Sequence, residues 1–130
     1  MAFYYLLMVA LTAPEWGWPG WVAACAVPCL IVGIVLALRR PSRRLCWLAL
    51  PFGVTEIFVL LAWLARPGLS HTQAGMALVV FALAIAGIVT LLIGRMKGHR
   101  ATAVLVGMGA AGHALIGAVM AYLSLTGDWL

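Results

Sequence analysis

LCWLALPFGVTEIFVLLAWLA, residues 45–65, is an unbroken apolar run with one acid, Glu56, at its middle. About 20 such residues cross the hydrocarbon core of a bilayer as a helix. A carboxylate at that depth costs roughly 2.5–3.5 kcal/mol even on the lenient insertion scales. Intramembrane acids generally face a bundle interior and pair there, so the partner of Glu56 is the first clue to function.

Three further runs repeat the pattern outward from this one. They are Trp18 to Leu38, Met76 to Gly94 and Ala101 to Leu125. The fold class is therefore all-α, a polytopic membrane helix bundle with four transmembrane helices, in a single domain over residues 1–130. Pro28 is expected to kink the first of these spans, and Pro51 to loosen the second one turn before Glu56.

Residues 2–13 form a shorter apolar stretch. A short N-terminal fifth span with a tight outer turn is the favoured reading, and a helix lying in the outer interface is the alternative. Thr12-Ala13-Pro14-Glu15 reads as a capping box. Trp16, Trp18 and Trp21, interleaved with Gly17, Pro19 and Gly20, read as a turn at headgroup level, where indoles prefer to sit.

Composition agrees with this frame. The chain is 66% hydrophobic and 8% charged, and its mean hydropathy is +1.15. A soluble domain of 130 residues cannot hide that much apolar surface. The net charge of +5 does not point to nucleic acid, because the basic residues sit in short loops between apolar runs. Arg39, Arg40, Arg43 and Arg44 form one loop, and Arg95, Lys97 and Arg100 form the other, leaving only Arg66 elsewhere. By the positive-inside rule these loops are cytoplasmic in a bacterial-type inner membrane, where they meet lipid headgroups. Glu15, His71, Asp128 and the C-terminus then lie outside. The N-terminus lies inside only if residues 2–13 span.

His113 is central in the last span, as Glu56 is in its own, so both fall near the bilayer midplane. A Glu–His pair at that depth can share a proton, with Thr55 beside it as a further relay group. A structural lock between helices and a contact with a partner protein are the competing readings. Gly109, Gly112 and Gly117 around His113, and Gly53 near Glu56, are expected to let neighbouring helices approach closely. Ala77, Ala84 and Gly87 are expected to give the Met76–Gly94 span a similar face. Gly107 to Gly112 matches GxGxxG literally, but no strand precedes it and it lies inside a membrane helix, so it is packing rather than a dinucleotide site.

Cys25 and Cys29 stand one turn apart and are read as core packing, with soft-metal ligation as the alternative. An odd cysteine count excludes a disulfide framework. A b-type haem would need His113 from two copies or a ligand from another subunit. No Ser-His-Asp set, HExxH motif, P-loop or carboxylate pair is present, so an enzyme is not expected. Two functions remain. One is an oligomeric transporter or channel handling protons or a small cation through Glu56 and His113. The other is an accessory or anchor subunit of a larger respiratory or ATP-driven membrane complex.

Overall fold

The computed structural model describes residues 2–39, 42–65 and 68–127. Five helices occur among them: α1 (Ala2–Leu11), α2 (Trp18–Arg39), α3 (Leu50–Leu64), α4 (His71–Arg95) and α5 (Arg100–Thr126). The chain is an all-α bundle, and no strand occurs among the described residues. Four helical stretches are long and apolar enough to cross a membrane: Trp18–Arg39, Arg43–Leu64, His71–Arg95 and Arg100–Thr126. This is the build of an integral membrane protein. Arg40, Arg66 and the 128–130 end, to which orientation was tied in part, lie outside the described residues.

The bundle is organised around α5, which packs against all four other helices. Its glycines explain how. Lipid supplies no hydrophobic drive between helices, so close backbone approach and packing must hold them. A Cβ at Gly109 would stand 2.7 Å from Leu30, and one at Gly112 would collide with Ala26, both on α2. At Gly117 it would stand 2.6 Å from Thr55 on α3, and at Gly107 2.9 Å from Val89 on α4. Each glycine therefore admits a named neighbour. The other helices bury single stripes: Pro51, Thr55, Val59 and Ala62 on α3, and Ala74, Phe81 and Ile85 on α4. Phe58 stacks on Phe81 at 4.2 Å between ring centroids, joining α3 to α4.

Several local expectations need correction. Pro51 does more than loosen a helix. Its ring occupies the start of α3, and Arg43–Ala49 before it is a 3-10 segment, with Leu50 N–H donating to the Trp47 carbonyl. Helix α4 begins five residues before Met76, because Ser70 and Gln73 form a reciprocal capping box across a stretch read as loop. The box expected at Thr12 does not form: the Thr12 hydroxyl donates to the Met8 carbonyl, back into α1, and a single 3-10 turn, Ala13–Trp16, follows.

Gly53 is exposed and nothing stands within 4 Å of a Cβ placed there. It is not a packing glycine, because Glu56 lies at the edge of the buried stripe and its i−3 neighbour faces outward. Ala84 and Gly87 are likewise exposed on α4, opposite its Phe81–Ile85 stripe.

A tight turn joins α1 to α2. Gly17 takes φ +61 between the 3-10 turn and α2, a positive-φ conformation that glycine adopts freely. Gly20, one turn into α2, packs directly on the Ala13 backbone, where a Cβ would collide.

Candidate functional site

Helix α1 has ten residues, which is about 15 Å of helix, half of a roughly 30 Å hydrocarbon core. It is neither a full span nor a surface helix. Its far end connects through the tight turn to the start of α2, and its first residues reach the middle of the bundle. Ala2 stands beside Gly117, at 3.6 Å from a Cβ built there.

A helix beginning at that depth exposes backbone N–H groups that have no partner within the helix. Glu56 supplies one. Ala2 N–H donates to Glu56 Oε2 at 3.3 Å, and Phe3 N–H donates to Oε1 at 3.1 Å. The carboxylate also complements the positive end of the helix dipole. His113 completes the arrangement, with Nε2 at 3.2 Å from the same Oε1. With Glu56 ionised, Nε2 carries the hydrogen and donates it, since a carboxylate only accepts. The expected midplane pair is therefore a direct contact, and α1 is a third participant that the apolar pattern of residues 2–13 did not reveal.

His113 is the central residue of α5 and is 1% exposed. Phe52 and Phe3 flank its ring at 5.3 and 6.2 Å between centroids. Its Nδ1 is buried with no hydrogen-bond partner among the described residues. Such an orphaned atom is uncommon in folded proteins and needs an explanation. Glu56 keeps 36% of its side chain exposed.

That exposure faces a cavity. Because α1 fills only one half of the groove between α2 and α3, the other half is open. The space measures about 470 Å³ and is walled by Leu30, Ile34, Leu45, Leu48, Phe52 and Val106. Ala37 and Leu38 lie at its basic-loop end, and Glu56, His113 and Phe3 close the inner end. The site is thus apolar on its sides and polar at the bottom, and Glu56 also borders a second space of about 250 Å³ walled by Ile57, Val59, Leu60 and Trp63.

Other expected residues fall outside this arrangement. Thr55 is fully buried, but its hydroxyl donates to the Pro51 carbonyl at 2.9 Å and not to the pair. Serving its own helix this way is ordinary for a threonine in an apolar setting. Cys25 is exposed and Cys29 half-buried, so neither packs in the core as expected. Both sit off the α2 stripe of Ala23, Ala26 and Leu30 that meets α5. No cluster of three metal-ligating side chains occurs among the described residues. Haem does not fit either. Its only deep histidine is enclosed by its own chain and engaged by Glu56 through Nε2, leaving no face for a porphyrin shared between copies. His71 is bonded to Tyr122 instead, Nδ1 to hydroxyl at 2.9 Å. Arg39, Arg43, Arg44, Arg95, Lys97 and Arg100 gather at one end of the bundle, at the two loops where the spans stop.

Comparison of the chain with known protein families, with curated proteins and with solved structures finds no match.

Proposed function

We propose that this chain is a small membrane transporter that takes up and releases protons at the Glu56–His113 pair. The observation that carries the reading is the position of Glu56: one carboxylate holds both His113 and the first turn of α1, at the inner end of an apolar cavity. Protonating Glu56 replaces a charged acceptor with a neutral one and weakens its hold on the α1 N–H groups. Loss of that hold frees α1 to move, and movement of α1 opens the far side of the pair. Proton occupancy and access are then coupled through one side chain.

The apolar walls favour a proton over a small metal cation. Ions such as Ca²⁺ or Mg²⁺ need about six oxygen ligands, and Glu56 is the sole acid lining the cavity. In the orientation we propose, the basic loops are cytoplasmic in a bacterial-type inner membrane, the cavity opens toward that side, and the chain acts as a homo-oligomer. The competing role, an accessory subunit of a larger complex, is favoured by one observation: Ala84 and Gly87 of α4 are small and face outward.

Reconstitution into liposomes tests the transporter reading, with an internal pH-sensitive dye as the readout. Wild-type protein is expected to dissipate an imposed pH gradient, and Glu56→Gln to abolish that movement. Equal flux in the two would remove Glu56 from the mechanism. The mass of the purified particle separates the two roles, since an accessory subunit brings partner proteins with it.

A further inference from the structure

A second groove lies on the other side of α3, at the basic end of the bundle. It measures about 530 Å³ and runs between the Arg43–Ala49 segment and the last turns of α4. Arg44 and Arg95 line it together with Trp47, Leu50, Ile88 and Leu91. We propose that this groove binds one anionic phospholipid, with its phosphate held between Arg44 and Arg95 and an acyl chain laid along Leu91 and Ile88.

Charge is the first support. The chain has three acids, Glu15, Glu56 and Asp128. Glu56 is engaged in the middle of the bundle, Glu15 belongs to the turn before α2, and Asp128 follows the far end of α5. Neither described acid, Glu15 or Glu56, stands at the end that carries Arg44 and Arg95, and neither arginine forms an ion pair among the described residues. Two guanidinium groups lining one groove repel each other, and no described residue supplies a counter-charge there, which an external anion would. Guanidinium is well matched to a phosphate, which it grips through two parallel N–H bonds.

The shape of the groove selects a lipid over a free anion. From Arg95 back to Ile88 the wall climbs seven residues of helix, about 10 Å, and below the arginines it is apolar. Leu91 is 63% and Trp47 62% exposed. A soluble phosphate would use the arginine end and leave this wall bare. A lipid fills both parts, with the Trp47 ring at the depth where indoles gather near headgroups. A zwitterionic lipid brings an ammonium toward the same arginines, whereas an anionic one does not.

Native mass spectrometry of the full chain in neutral detergent tests this, with phosphatidylglycerol, phosphatidylcholine and inorganic phosphate added separately. One phosphatidylglycerol per chain is expected to survive into the gas phase and to raise the unfolding temperature in solution. The other two additives are expected to do neither. Arg44→Gln/Arg95→Gln should weaken phosphatidylglycerol binding by about tenfold or more. Arg43→Gln/Arg100→Gln, which removes the same charge outside the groove, should bind as wild type. Leu91→Trp, which blocks the acyl path and keeps both arginines, should also lose the lipid, and it stands in if the double variant does not fold. Equal retention of phosphatidylcholine, equal stabilisation by phosphate alone, or equal loss in both arginine pairs would overturn the proposal.

Discussion

The groove between α2 and α3 is one feature with two unlike halves. In one half α1 lies against α5, and Leu6, Val9, Ala23, Ala26 and Ile116 close into a core. In the other half no described residue takes its place and about 470 Å³ stays open. Side-chain chemistry does not separate them, since both are walled by aliphatic residues of the same helices. The length of α1 does. A ten-residue helix ends its cover in mid-bundle, and its unpaired N–H groups then require an acceptor at a depth where water is scarce. Glu56 stands at that boundary, so a single acid anchors the plug on one side and forms the floor of the cavity on the other.

The largest effect is expected from removing the boundary. Glu56→Leu strips the acceptor from Ala2, Phe3 and His113 at once. It should cost about 3 kcal/mol or more in reversible unfolding in detergent, because truncating one partner leaves buried polar groups unpaired. It should also expose α1 to limited proteolysis while α2–α5 resist. Next comes the covered half. Gly117→Val forces a side chain against Thr55 and Val59 and should cost about 1–3 kcal/mol. Gly87→Val, on the open face of α4, should stay within about 0.5 kcal/mol. If the two glycines prove equal, the covered half is not tightly packed.

A smaller loss, about 1 kcal/mol, is expected for Ser70→Ala, which removes the α4 cap. It lies far from the groove and should leave proton movement unchanged. Ala37→Phe should affect stability least, since it fills space at the cavity mouth. It should nevertheless slow proton flux in liposomes, and unchanged flux would mean that protons do not enter by the open half.

Much of this arrangement was legible in the residues. Runs of about 20 apolar residues placed four spans because bilayer thickness leaves little choice of length. Glu56 and His113 were paired on depth alone, and the contact exists. Their third partner was not legible. The anchor of α1 is two tertiary hydrogen bonds, from Ala2 and Phe3 to an acid 54 and 53 positions on, and no local pattern encodes them. Capping shows the limit of motif reading. Ser70-x-x-Gln73 and Thr12-x-x-Glu15 have the same form, yet only the first precedes a long helix. Thr12 closes the end of α1, so its hydroxyl turns back to Met8. Gly53 departs from its expected packing role because a glycine packs only where a neighbouring helix arrives, and the α3 stripe passes it by.

The depth of the α1 start carries the whole account, and a cross-link tests it most directly. In a chain with Cys25, Cys29 and Cys46 replaced by alanine, Ala2→Cys is combined with Gly117→Cys and with Thr55→Ser, which clears the methyl group beside Gly117. The two Cβ positions lie 3.6 Å apart, within the span of a disulfide. Mild oxidation in native membranes should join residues 2 and 117 within one chain, while Leu11→Cys paired with Gly117→Cys stays unlinked. A link from residue 11 in place of residue 2, or from neither, would mean that α1 does not begin at the Glu56–His113 pair.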